Sequence, residues 1–449
     1  MKNVSVLFLI LLFSSFTLHA ITLESLLQDP TPQEWATLSK FNETLTRQQF
    51  EERLDKIFDS SHALNPFSEI SDKSVKVFSS KNHNQKPLVE ILFAESSRKL
   101  KPLFRTFYVP REIREKNRGK PLSGLRVVIE PANIGGEWAK KEDRSTYFKG
   151  YGRINEGDIN LKVALILKKR LEELGAKVFM TRMDCSPAAD YPISNIIPVA
   201  EKFLLSKSDF LPKSYFQRAK DLSADDPRRK EIAAEMLLTK SIEAKARAEK
   251  VRKNFEPDIT LVIQHNASNA SVDGGFIPIN RNIFFVHGAY TEEEINNDAR
   301  QRYRLLTKLL QNITSIETEV ACNIAKRFKN ATGYPPVLYG DSSTTRLVEK
   351  NNFYVVARNI ALNREHDGPV VVIEPYMMNQ RTTLKRLLMG DYDGVKTIDG
   401  RRRISIHQEY ANAVVKGLVD TYSSSSKRKS TSPKKSRPHS NYKSKSSRS

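Results

Sequence analysis

Apolar β-branched runs alternate along this chain with segments whose apolar residues recur every four positions, which predicts strands and helices in turn. Residues 259–263, Ile-Thr-Leu-Val-Ile, carry no polar alternation. That is the pattern of a strand buried on both faces, as in a parallel sheet. Residues 125–130, 177–181, 283–286 and 369–374 read as further strands. Between the first two, a helix is expected from near Asp158, with Val163, Leu167 and Leu171 at four-residue spacing and Gly175 as its stop. Strand, helix and strand at that spacing make a βαβ unit with a parallel pair. A helix from about Arg229 to Asn254 leads into residues 259–263, and its wealth of charge reads as solvated surface. Residues 291–329 are mostly helical, with an acidic start at Glu292–Glu294 that suits a helix dipole. A closing helix near 404–422 aligns Ala411, Val415 and Leu418. The class is therefore α/β, a central, mostly parallel sheet flanked by helices.

Composition shifts divide the chain. Met1 and Lys2, an apolar core from Val4 to Phe16 and the trio Leu18, His19, Ala20 read as a signal peptide over 1–20. The apolar run is short for crossing a bilayer, and no later run approaches that length. Export to the periplasm or cell envelope is expected, with a mature chain starting near Ile21. Residues 21–120 read as a small α+β accessory domain: Phe50, Leu54 and Phe58 share a helix face, and 74–79 and 87–93 read as strands. Nothing there clusters as catalytic groups. The main domain spans 121–422, with an insertion at about 186–230 that is too long for a simple connection and reads as a lid or a partly disordered segment. Residues 423–449 are Ser/Lys/Arg-rich and read as a disordered tail.

Charge narrows the partners. The 449 residues carry a formal charge of +21, and the tail holds nine Lys/Arg and no Asp/Glu. A basic surface favours polyanions. An exported protein seldom meets nucleic acid, so anionic envelope polymers are the expected partner of the tail. Cys185 and Cys322 are the two cysteines, too few for a disulfide scaffold, and spacing does not say whether they pair.

Three apolar strands end on Glu130, His265 and Glu374, and Glu156 precedes the first crossover helix. In open α/β sheets ligands bind beyond the carboxyl ends of the strands. A lone histidine there is more often structural, and a lone acid more often a solvated charge. Their shared position raises a joint reading. Imidazole plus carboxylate suits zinc, and a further carboxylate within reach could move a proton during attack on a carbonyl.

Five stretches then occur in order: Val127-Val-Ile-Glu-Pro-Ala-Asn-Ile-Gly-Gly136, Asn155-Glu-Gly-Asp-Ile-Asn-Leu161, Lys177-Val-Phe-Met-Thr-Arg-Met-Asp184, Leu261-Val-Ile-Gln-His-Asn-Ala267 and Val372-Ile-Glu374. With residues 410–422 as a closing helix, 125–422 resembles the zinc-dependent N-acetylmuramoyl-L-alanine amidases, which cut the amide between muramic acid and the stem peptide of peptidoglycan. The resemblance implies Glu156 and His265 as metal ligands and Glu374 as the catalytic acid–base group. The family's first histidine ligand falls on Asn133, whose neutral carbonyl oxygen is a poor zinc ligand beside imidazole. Glu130 or Glu142 could substitute, a harder metal could bind, or none; His287 and His366 are further candidates, each otherwise an ordinary histidine. The alternative is a catalytically silent peptidoglycan-binding or regulatory protein that has lost the metal. A partner that moves a cover from the groove would act as an activator.

Overall fold

The computed structural model describes residues 23, 27–205, 217–268, 275–339, 342 and 344–423. The expected signal peptide and all but the first residue of the basic tail lie outside them, as do residues 206–216 of the insertion.

After short helices that include Pro32–Ala36 and Arg47–Arg53 comes a three-stranded antiparallel sheet of β1 (Ser68–Ile70), β2 (Ser74–Val77) and β3 (Val89–Leu92). Next come β4 (Arg126–Pro131), a hairpin of β5 (Ser145–Phe148) and β6 (Gly152–Asn155), the helix α1 (Glu156–Glu173) and β7 (Lys177–Met180). Beyond the insertion lie α2 (Glu243–Asn254), β8 (Ile259–Ile263), β9 (Asn282–Val286), α3 (Ile313–Thr332), β10 (Arg346–Leu347), β11 (Val355–Ala357), β12 (Val370–Pro375) and α4 (Ile406–Tyr422). The main sheet has seven strands in the order β10-β11-β9-β12-β8-β4-β7. Strands β12, β8, β4 and β7 run parallel, while β9 lies antiparallel to β12. The mostly parallel sheet expected from unbroken apolar runs is there, and β8 is buried at all five positions.

Alternation along the strands sorts their side chains to two faces. Val127, Ile129, Leu261, Ile263, Val371 and Ile373 join the large core with Leu167 and Leu171 of α1, Phe328 of α3 and Val414 of α4. Val262, Val370 and Val372 turn to the other face with Phe285. Helices α3 and α4 cross closely because Gly417 has no side chain: a Cβ there would stand 2.6 Å from the Ile324 Cα.

Most buried apolar residues of the N-terminal unit, among them Trp35, Phe50, Phe58, Val75 and Ile91, join this same large core. Trp35 meets Tyr303 edge-on at 5.2 Å between ring centroids. The Ala289 and Tyr290 amides donate to the Ile57 and Phe58 carbonyls at 2.7 and 2.8 Å. The insertion is helical over Ile193–Leu205 and Arg228–Leu237 and packs a core of its own around Ile196, Leu237 and Ile242. It leans on residues 138–143: Lys141 pairs with Glu235 at 2.7 Å, and the Lys240 Nζ donates to the Glu142 carbonyl at 3.1 Å.

One expectation is corrected. The charged helix α2 is not a solvated surface, because Glu243, Arg247 and Val251 are buried. Arg247 is held there by Glu243 at 2.6 Å. Charge content alone does not reveal a buried ion pair. Among the described residues no helix is long and apolar enough to cross a membrane. Both cysteines are free thiols.

Candidate functional site

The carboxyl ends of β8 and β12 stay zipped together past the last apolar residue. The Gln264 amide donates to the Ile373 carbonyl at 3.1 Å, Asn266 to Tyr376 at 3.1 Å and Met378 to Asn266 at 2.7 Å. His265 sits inside this zipper, buried, its ring stacked toward Tyr376 and tilted against Tyr410. Its Nδ1 lies 2.8 Å from the Asn160 Oδ1. The Asn160 Nδ2 donates to the Ala132 carbonyl at 3.0 Å, which fixes the amide orientation and makes Oδ1 an acceptor. The proton therefore rides on Nδ1, and Nε2 keeps its lone pair. Burial, helped by the neighbouring His407, lowers the imidazole pKa to about 3, so the ring is neutral near pH 7.

Glu156 is the first residue of α1, its amide donating to the Arg144 carbonyl at 3.0 Å. Its carboxyl is buried, and Oε1 has no hydrogen-bond partner. Desolvation lifts its pKa to about 7; the Arg144 guanidinium, 3.9 Å away, and contacts with the His265 backbone and Asn160 oppose the rise, while Glu142 adds to it. Glu374, near the end of β12, is pushed up to about 8 by burial and then by the charge of Glu156. Glu156, His265 and Glu374 thus lie in one neighbourhood.

Asn133 occupies a left-handed turn with φ of 61°, a conformation that asparagine tolerates better than most residues. Its loop is clamped from behind. Arg182 Nε and Arg247 Nη1 donate to the Pro131 carbonyl at 3.1 and 2.9 Å, and Arg247 Nη2 to the Asn133 carbonyl at 3.1 Å. The Glu142 carboxylate accepts the Ile134 and Gly135 amides at 2.9 and 3.0 Å. The loop presses on the first turn of α1 so closely that a Cβ on Gly157 would stand 2.4 Å from the Gly135 nitrogen. The Asn133 Oδ1 is buried and without a partner among the described residues.

The other candidates are engaged elsewhere. Glu130 is one step out of phase with Ile129 and so faces the opposite side of the sheet. There it meets His366 Nε2 at 2.6 Å and stands 3.8 Å from Arg247. The expectation that Glu130 faces the same crevice as His265 is corrected. His287 uses both ring nitrogens, on Asn363 at 3.1 Å and on the Tyr290 hydroxyl at 2.8 Å.

What remains for a cation is the His265 Nε2 lone pair together with Glu156 Oε1 and Asn133 Oδ1, the two oxygens buried and without partners among the described residues. As a nitrogen–oxygen donor set they fit a divalent ion, with two strong donors and a neutral third. Among the described residues no group of three or more His, Cys, Asp or Glu is arranged to hold a metal. Sequence reasoning missed Asn160, which orients His265, and the two arginines that clamp the loop. Asn160 had a signal: it stands four residues after Glu156 and so shares its helix face.

No family model matches the chain, and no curated protein does. Solved structures that overlap it include the CwlD amidase of Clostridioides difficile in complex with the GerS lipoprotein, at 15% identity over 66% of this chain and 98% of that one, with a TM-score of 0.35. The N-acetylmuramyl-L-alanine amidase Ami1 of Mycobacterium smegmatis is similar at 14% identity over 67% and 98%, with a TM-score of 0.34. The N-acetylmuramoyl-L-alanine amidase AmiC2 of Nostoc punctiforme is similar at 14% over 66% and 97%, with a TM-score of 0.32. Overlap this shallow carries no argument about chemistry, which rests on the residues of this chain.

Proposed function

We propose that this chain is an exported hydrolase of peptidoglycan that cleaves the amide between N-acetylmuramic acid and L-alanine, using a zinc ion held by Glu156, His265 and Asn133. One observation carries the reading: Asn160, on the helix that begins with the buried Glu156, holds the proton on His265 Nδ1 and so leaves the Nε2 lone pair free. A hydrogen bond on the far ring nitrogen is how ligating histidines are oriented. When bound, such an ion lowers the pKa of a coordinated water and polarises the scissile carbonyl. Glu374 is the acid–base group. Its carboxyl holds a proton up to about pH 8 in the ion-free chain, and a cation nearby would ease its ionisation. Ionised, it takes a proton from the attacking water and returns it to the departing amine nitrogen. The apolar leader over 1–20 supports export, and the basic tail supports retention at anionic envelope polymers.

The neutral third donor favours a second reading, a peptidoglycan-binding or regulatory protein without hydrolysis. Incubating the full chain with cell-wall sacculi, with and without added zinc, separates the two. Stem-peptide release that rises with zinc and disappears in Glu374→Gln and His265→Ala is the expected result. Equal release by both variants would sink the site assignment, and binding without release would favour the silent protein.

A further inference from the structure

The hairpin β5–β6 ends on Asn155, immediately before Glu156, and takes no part in the seven-stranded sheet. Its inner face is pinned down: Phe148 and Tyr151 pack on Phe276 at 5.5 and 5.6 Å between centroids, and Ile154 is buried. Its outer face carries a continuous polar ladder. Arg153 Nη1 donates to the Ser145 Oγ at 2.9 Å, Ser145 donates to the Asn155 Oδ1 at 2.7 Å, and Asn155 Nδ2 donates to the Asp158 Oδ2 at 3.1 Å. Across from Arg153, in register, stands Tyr147, 64% exposed, with the guanidinium 6.0 Å from its ring centroid.

An exposed aromatic ring costs free energy in water and gains little from a hairpin already anchored through its other face. A flat ring beside a row of hydroxyl, amide and guanidinium groups matches a pyranose, which offers a C–H face to the ring and hydroxyl or N-acetyl groups to the donors. The ladder runs from Tyr147 towards the first turn of α1, so a ligand lying along it would lead to the Glu156 carboxyl.

We propose that the outer face of the β5–β6 hairpin, with Tyr147 and Arg153, is a saccharide subsite that holds the glycan strand of peptidoglycan next to the site. This rests on the peptidoglycan reading and adds to it which part of the polymer is gripped. The probe is a soluble, peptide-free glycan strand of alternating N-acetylglucosamine and N-acetylmuramic acid, titrated calorimetrically into the full chain. The wild type should bind, Tyr147→Ala should weaken binding roughly threefold to tenfold, and Tyr147→Trp should restore it, with far-UV circular dichroism unchanged. Unchanged affinity in Tyr147→Ala, or no binding by the wild type, overturns the subsite. Stem-peptide release without glycan binding would leave the amidase reading intact and reject this one; glycan binding without release would do the reverse.

Discussion

In the proposed site, His265 is oriented by Asn160, a residue that never needs to touch substrate. With Asn160 replaced by Leu, both ring tautomers become accessible and the Ala132 carbonyl keeps only the longer bond from Arg182 Nη2 at 3.4 Å. Metal affinity, followed by competition with a chromophoric chelator, should fall roughly 10–100-fold while the fold persists. The two carboxyls set a pH dependence of their own. Glu156 and Glu374 have pKa values raised to about 7 and about 8 from an ordinary 4.5, so the folded chain binds protons that the unfolded chain has released. Between pH 6.5 and 8, above the ordinary range of His265, stability should therefore fall as pH rises. Thermal scans in chelator should show a declining Tm across that window, and Glu374→Gln should flatten the decline; a flat wild-type profile would remove the argument. At this scale the sequence displayed Glu156, His265 and Glu374 as candidates, because each follows an apolar run or opens a helix. It concealed which face Glu130 takes, since the end of an apolar run does not define the phase of the last side chain.

At the scale of elements, the loop after β4 and the helix α2 behave as one piece. Arg247 is buried between Glu130 and Glu243 and ties two loop carbonyls to the helix. Removing one partner of a buried charge cluster leaves the others uncompensated. Arg247→Met should cost about 3–5 kcal/mol in chemical denaturation, whereas exposed Arg252→Met on the same helix should change little. The periodicity of α2 and the strand of β8 were readable. The inward turn of its charges was not, because a buried ion pair and a solvated one have the same composition.

For the whole molecule, the N-terminal unit reads as an accessory domain in sequence, yet its buried side chains share the main core. A chain starting at residue 121 would expose the surfaces that Ile57, Phe58 and Trp35 now cover. It should collect in inclusion bodies or melt well below the intact protein, and a soluble fragment with native Tm would contradict this. That β12, β8 and β4 lie within a mostly parallel sheet could be inferred from their unbroken apolar runs, whereas the order of the strands could not. The antiparallel placement of β9 depends on long connections, whose course no local pattern encodes.

The backbone at Asn133 bends left-handed, where most side chains lose about 1–2 kcal/mol. A histidine there would take a turn that His62 and His83 also take, at φ of 59° and 52°, so its larger ring, more than the backbone, would load the loop that two arginines hold shut. Tighter metal binding and a lower melting point in metal-free buffer should arrive together in Asn133→His, so a gain at the metal is drawn from the rigidity of the loop beside it.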